Sequence, residues 1–570
     1  MSTQAATVVP SVYLNKVKFS DQSEFTFADN DFVLIVGPNN SGKSAALRAI
    51  EDKLSDYANS SPVIANLQIR THGSDTDVLQ WLANWAKPDS SSSASNPIYS
   101  VLGNSVSFTL VRHYWPRGSG LSSLARVFCK RLDTDSRLTI CNPPENINLL
   151  THAPTHPIHV MQRDDAVAMQ LSHKFKEAFG LELIVNHCAG SQVPLHVGKQ
   201  PAFSVGEDRV SIGYITKLEQ LPTLHSQGDG MRAFAGVLMS TAVGRENVYL
   251  IDEPEAFLHP PQAKFLGKYL AHIAASGRQV LVATHSADFL KGALDAATGN
   301  VKVLRIDRLD ATNKVSQLET TLVKTLWSDP IFRASNILDG LFHERTIVCE
   351  SDSDCRFYSS MLDAQIEANS SGGKRPDFFF TQSGGKDRMH VVVSALRAVN
   401  VPVAVVADFD VLSNEQPLRR IVESLQGSWD AIQADWKTVK SAIDVRKPEF
   451  LADEAMGEIK KVLDRVTERI FPDSAKDEIA KLLRKTSPWA TAKTVGKSFV
   501  PSGDASAACQ RLLESLRTIG MHVVEEGEIE GFCRSVGNHG PKWVNAVLER
   551  NLANDSELES ARKFVKRLAD

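Results

Sequence analysis

One octapeptide constrains this chain more than any other feature. The buried-looking run Phe32-Val33-Leu34-Ile35-Val36 leads directly into Gly37-Pro38-Asn39-Asn40-Ser41-Gly42-Lys43-Ser44, and from Ala45 the apolar residues Leu47, Ile50 and Leu54 follow helical spacing. A G-x-x-x-x-G-K-[ST] loop between strand and helix is the arrangement that cradles phosphates. Glycines let backbone N–H groups close on the anion, the helix start adds partial positive charge, Lys43 reaches the terminal phosphates and Ser44 can ligate Mg²⁺. A chain built this way must carry an α/β core with a parallel strand ending at the loop.

Val248-Tyr249-Leu250-Ile251-Asp252-Glu253 supplies a second buried strand, ending in two carboxylates. Asp252 suits the Mg²⁺ shell, and Glu253 suits proton abstraction from an attacking water. A helix is expected near Pro261 to Ala275. A third strand, Val280 to Ala283, runs into Thr284-His285-Ser286, which puts His285 within reach of a γ-phosphate.

The 570 residues leave room for a second compact unit. After about residue 345 the strand pattern resumes at Thr346 to Cys349, Phe378 to Phe380 and Val403 to Val406. The first of these runs into Glu350-Ser351-Asp352-Ser353-Asp354 and the last into Asp408-Phe409-Asp410. In a parallel sheet both strand ends fall on one edge, so Glu350, Asp408 and Asp410 can converge. Oxygen ligands at that density suit Mg²⁺ or Mn²⁺. A helix-capping role for each acid is the competing reading. Between Asp410 and about Gly520, charged residues at helical spacing predict a helical insertion.

Composition restricts the partners. Lys and Arg number 63 against 67 Asp and Glu, a net charge of -4, so nucleic-acid binding requires a local patch. Lys481, Arg484, Lys485, Lys493 and Lys497, with Trp489 among them, form one candidate, although Asp477 and Glu478 adjoin it. Arg562, Lys563, Lys566 and Arg567 form another. Seven cysteines without a C-x-x-C pair, no basic or apolar start over Met1 to Pro10, and no long apolar run lead us to expect a cytoplasmic protein with no membrane segment. Asp89 to Pro97 reads as a solvated loop.

The order of the first group of motifs resembles the ATP-binding-cassette (ABC) ATPases, and among them the subgroup of the SMC and overcoming-lysogenization-defect (OLD) proteins. That resemblance implies that Ser226-Gln227-Gly228-Asp229-Gly230-Met231-Arg232 is the signature segment, with Asp229 interrupting its glycines. It further implies that Ser226 and Gly228 meet the γ-phosphate held by a second copy, that Glu255 to His259 form the loop following the catalytic glutamate, and that ATP is sandwiched in a homodimer or higher homo-oligomer. The Mg²⁺-sensing glutamine of that family is not assignable between Gln68 and Gln162.

The second group resembles the Toprim fold of topoisomerases, primases and OLD nucleases, with Ser351 where the family commonly has glycine. Ser383-Gly384-Gly385-Lys386-Asp387 looks like its glycine turn, and Glu526-Gly527-Glu528-Ile529-Glu530 like its late acidic segment. Lys542 resembles the late basic residue. The resemblance implies a metal-dependent nuclease. Glu350, Asp408 and Asp410 would hold one ion, Asp354, Glu528 and Glu530 a second, and Lys542 would neutralise phosphate charge.

The expected architecture is α/β: an ABC-type ATPase head over residues 1–335, with an insertion of unassigned role at about 55–155, followed by a Toprim domain. That domain, a Rossmann-like parallel sheet, is expected over 340–550 with a helical insertion at about 412–515, and a C-terminal helix over 551–570. The resemblance implies ATP and Mg²⁺ (or Mn²⁺) as cofactors, DNA as the favoured substrate with RNA such as tRNA as the alternative, and a role in bacterial defence with a possible partner protein. A non-catalytic ATP-driven DNA clamp is the reading from a different class.

Overall fold

The structure is a computed structural model, describing residues 8–569 apart from stretches at 116–119, 310–311, 369–374, 447–451, 468–469 and 485–487 and within 89–95 and 319–335. Most of the expected loop Asp89–Pro97 therefore lies outside the described residues, as do residues 1–7 and the side chains of Lys481, Arg484 and Lys485. The chain divides into two compact units, Met1–Trp327 and Ser328–Asp570.

In the first unit, β1 (Ser11–Phe19) pairs antiparallel with both β2 (Glu24–Thr26) and β4 (Ile64–His72), forming a three-stranded sheet. β3 (Phe32–Val36) is buried along its whole length, as a strand covered on both faces must be, and α1 (Lys43–Ser55) follows the glycine-rich loop. The main sheet adds β5 (Cys129–Leu132), β6 (Val248–Asp252), β7 (Gln279–Ala283), β8 (Val301–Leu309) and β9 (Thr312–Leu318), in the order β9-β8-β3-β7-β6-β5. Every neighbouring pair is parallel except β8 with β9. Val33, Ile35, Leu47, Ile50, Leu250 and Leu281 share one core. The helix expected near Pro261 is Pro260–Ala275.

The stretch 55–155 is not an insertion throughout. β4 pairs with β1, and β5 is the edge strand of the main sheet, with Leu250 opposite Arg131. Its apolar residues alternate too irregularly to be read as strands from sequence.

The second unit is built on β10 (Arg345–Cys349), β11 (Phe378–Gln382), β12 (Val403–Ala407) and β13 (Met521–Val523), in the order β11-β10-β12-β13 and parallel throughout. Ile347, Phe357, Tyr358, Val406, Trp543 and Phe564 pack together on it. Between β12 and β13 lie the helices of the insertion, among them Glu415–Ser424, Trp429–Asp444, Pro488–Val495 and Asp504–Thr518. The last helix, Glu559–Ala569, starts later than the expected residue 551 and buries Phe564, Val565 and Leu568. No helix among the described residues is long and apolar enough to cross a membrane.

Candidate functional sites

Register puts the first group of motifs on one sheet edge. Asp252 is opposite Ala283, and Ala283 opposite Ile35, so the ends of β6, β7 and β3 are level and present Asp252, His285 and the glycine-rich loop side by side. Gly37 has φ +141°, and a Cβ there would lie 2.1 Å from the Ile306 carbonyl oxygen, so only glycine permits this approach. Asn39 and Asn40 are exposed at the loop tip, Asn40 with φ +59°, while Ser41 is buried and Gly42 caps α1.

Lys43 is nearly fully buried, and its Nζ donates to the carbonyl oxygens of Gly37 (2.9 Å) and Pro38 (2.7 Å). Burial pulls its pKa down to about 8, against the opposing pull of Glu253 and Asp252. Ser44 Oγ donates to Asp252 Oδ1 at 2.8 Å, bringing together the two oxygens that a Mg²⁺ ion would share. Asp252 is raised above the usual carboxylate range by burial.

Glu253 adopts φ +47°, an unusual conformation for a residue with a side chain, of the kind found at functional sites. His285 Nε2 lies 3.0 Å from Glu253 Oε1 and holds that carboxyl below its usual range. Two further groups fix this turn, Glu255 from the expected loop and Arg137, which carries no signal in the sequence. Glu255 Oε1 accepts from Thr284 Oγ1 (2.7 Å) and from the His285 amide (2.8 Å). Arg137, fully buried in the helix Thr134–Thr139, donates to the backbone carbonyl oxygens of Asp252 and Glu253. Ser226 and Gly228 are exposed immediately before the helix Asp229–Val243, with Gly228 at its N-cap.

The second unit brings its acids together in the same way. Glu350, Asp408 and Asp410 can each aim an oxygen so that all three lie within 4.8 Å, and Glu528, Glu530 and His539 form a second such group. The glycine turn closes behind the first, with the Gly385 amide donating to the Glu350 carbonyl oxygen at 2.9 Å. The Phe409 amide donates to the Gly527 carbonyl oxygen at 2.7 Å, tying the two acid-bearing turns together. Burial and then Asp410 raise Glu350; burial and then Glu350 raise Asp408; burial and then Glu530 raise Glu528. Such mutual repulsion is relieved by a proton or a cation. Asp410 Oδ1 is buried without a hydrogen-bond partner among the described residues, so these acids fit a divalent ion.

One sequence expectation changes here, that of the basic stripe around Lys493. Asp354 lies beside these groups, with Lys493 and Glu530 acting on its carboxyl, while its Oδ2 accepts from the Ser351 amide (2.8 Å) and Oγ (3.0 Å); His539 joins Glu528 and Glu530. Lys542 is exposed, two residues after Gly540, whose amide donates to Glu530 Oε1 at 2.7 Å. Two cations that the sequence did not single out for this role pair with the acids: Lys493, with Nζ 2.7 Å from Asp408 Oδ2, and Lys386, with Nζ 2.6 Å from Asp410 Oδ2. Lys493 is thus not a solvated member of a basic stripe. Lys497 pairs with Glu525, and near the C-terminus Lys563 pairs with Glu559 and Arg567 with Glu525.

Residues 107–290 match the family described as "AAA domain, putative AbiEii toxin, Type IV TA system", and residues 17–62 match a family described as "AAA domain". Over these residues the first unit is similar to AAA-type ATPase domains. The Old nuclease of Escherichia phage P2 is 26% identical over 170 residues, 29% of this chain and 28% of that protein. The chain is similar to OLD-type ATPase–nucleases. The L-cystine import ATP-binding protein TcyN of Bacillus subtilis (strain 168) is 26% identical over 139 residues, 24% of this chain and 51% of that protein. The OLD-like chain thus spans about half or less of the curated relatives it matches. Among solved structures, the SMC head domain from Thermotoga maritima gives a TM-score of 0.28 at 15% identity, covering 55% of this chain and 100% of that one. An SmcHead bound to the C-winged helix domain of ScpA gives 0.35 at 12%, covering 55% and 99%.

Proposed function

We propose that this chain is an ATP-hydrolysing, divalent-metal-dependent nuclease of the OLD type that cuts phosphodiester bonds in DNA, its first unit gating a Toprim-like second unit. The observation that carries the reading is the convergence of Glu350, Asp408 and Asp410 beside Glu528, Glu530 and His539 at the end of a parallel sheet.

In the ATPase unit, Gly37 to Ser44 would bind the phosphates, Lys43 Nζ would supply positive charge, and Ser44 Oγ and Asp252 would hold a Mg²⁺ ion. Glu253 Oε1 takes the proton of the attacking water, and His285 Nε2 orients that carboxylate. Ser226 and Gly228, exposed at the start of their helix, suit contact with nucleotide on a second copy, giving a homodimer or higher oligomer.

In the second unit, Glu350, Asp408 and Asp410 would hold one divalent ion, and Glu528, Glu530 and His539 another. A bound pair of such ions supplies an activated water and a Lewis acid at the leaving oxygen. Lys386 and Lys493 offset the negative charge of Asp410 and Asp408 and hold these carboxylates close together. Defence of a bacterial cell against phage or other foreign DNA, with or without a partner protein, is the role this activity would serve.

The test is supercoiled plasmid incubated with Mg²⁺ or Mn²⁺, with and without ATP, beside Asp408→Ala. Metal-dependent nicking that disappears in the variant while ATP hydrolysis persists is expected. Intact plasmid throughout, with matched RNA cut instead, would transfer the reading to a ribonuclease; metal binding without cleavage of either would favour a scaffold.

A further inference from the structure

Lys493 reaches the acids from the helical insertion, and the insertion is locked in place there by backbone contact. A Cβ on Gly527 would lie 2.1 Å from the Lys493 carbonyl oxygen, and one on Gly496 would lie 2.1 Å from the Glu525 carbonyl oxygen. The Lys497 amide donates to that same Glu525 oxygen at 2.8 Å, and Trp489 Nε1 donates to Asp444 Oδ1 at 2.8 Å. The glycine and Lys497 contacts fix the end of the helix Pro488–Val495 against the turn that carries Glu528, and Trp489 ties the same helix to Trp429–Asp444.

The ammonium is central to the cluster. Its Nζ lies 2.7 Å from Asp408 Oδ2, 3.9 Å from Asp410 Oδ1 and 3.9 Å from Glu528 Oε2, so it bridges the two groups of ligands. A monovalent cation on a tether therefore stands among the oxygens a divalent ion would need, at an effective concentration set by its tether.

We propose that Lys493 is a built-in competitor for the metal: a divalent ion must displace its ammonium from Asp408, and that competition sets metal affinity and selects divalent over monovalent cations. The inference rests on the reading of these acids as metal ligands. A free monovalent ion exchanges one positive charge for another and gains little, whereas a divalent ion gains a second charge against the same carboxylates. Displacement also frees the ammonium.

Both consequences are measurable on the full chain with Mn²⁺ as the probe. In the unaltered protein, amine acetylation followed by mass spectrometry should modify Lys493 several-fold faster at saturating Mn²⁺, with Lys217, paired to Glu207 in the other unit, as the unchanging reference. This measurement needs no variant to fold. By electron paramagnetic resonance, Lys493→Met should bind Mn²⁺ more tightly, on the order of tenfold or more, the effect of one full charge at ion-pair distance on a neighbouring ionic equilibrium. Lys493→Arg, which keeps the charge, should stay close to the parent.

Unchanged Lys493 acetylation with Mn²⁺ bound, or Mn²⁺ affinity equal or weaker in Lys493→Met, overturns the competition while leaving the metal site standing. Mn²⁺ affinity that Asp408→Asn does not weaken, or no Mn²⁺ binding by either the parent or Lys493→Met, overturns the metal-ligand reading itself.

Discussion

Gly527→Ala would drive one methyl group between two stretches of backbone. At φ +108° a non-glycine residue costs about 1–2 kcal/mol. The new Cβ would also stand 2.1 Å from the Lys493 carbonyl oxygen and 2.9 Å from its carbon, so the turn and the helix Pro488–Val495 must part by more than an ångström. Overpacking of that kind costs about 1–3 kcal/mol more, for a total of roughly 2–5 kcal/mol. For a unit of this size each kcal/mol is worth about 2–4 °C, so the melting transition of the second unit should fall by roughly 4–20 °C. Gly503→Ala separates the two contributions. Gly503 has φ +91° with nothing within 4 Å of an added methyl, so it incurs the backbone cost alone, about 1–2 kcal/mol. Differential scanning calorimetry on both variants decides the matter: a Gly527→Ala transition no lower than that of Gly503→Ala would refute the close approach that holds Lys493 among the acids.

Glu253→Gln should cut ATP turnover by about 10²–10⁴-fold while nucleotide binding, measured by equilibrium dialysis, stays within about twofold. In His285→Ala the Glu253 carboxyl loses the group that holds its pKa down, so the acid limb of the ATPase pH profile should move to higher pH, with turnover at neutrality reduced about tenfold; an unmoved limb would disconnect the pair. Lys43 binds phosphate as the ammonium, and burial brings its pKa to about 8, so ATP affinity should fall about tenfold per pH unit above that point. The sign for folding is opposite: between about pH 8 and the unfolded value near 10.5 the unfolded chain holds the extra proton, so the nucleotide-free ATPase unit gains stability as pH rises through that window, which urea titrations at pH 8 and 10 would detect.

What is legible in the sequence follows from residues that are neighbours in the chain. Phe32 to Val36, Val248 to Glu253 and Val403 to Asp410 each join a buried run to its polar end, and parallel pairing does the rest by bringing those ends level. The corrected expectations all need distance information. Lys493 resembles part of a basic helix face because its local sequence carries other lysines, and nothing there announces that Gly527 will admit its backbone. Arg137 lies in a short helix with no motif, and its function as a clamp on the Asp252 and Glu253 carbonyls depends on a fold that returns β6 to its side. β5 is hidden for a related reason: four residues with a charged middle, Lys130 and Arg131, give no apolar run, although Cys129 and Leu132 are buried.

The insertion also sets an order of events during synthesis. β12 and β13 are hydrogen-bonded neighbours, yet all the intervening helices must leave the ribosome before β13 can dock. Gly527, which ties down the Asp408–Asp410 turn, and Glu528, Glu530 and His539 emerge later still. A nascent chain therefore displays Glu350, Asp408 and Asp410 long before it can assemble them into paired cation groups, and the paired site comes into being only once Glu528, Glu530 and His539 have emerged.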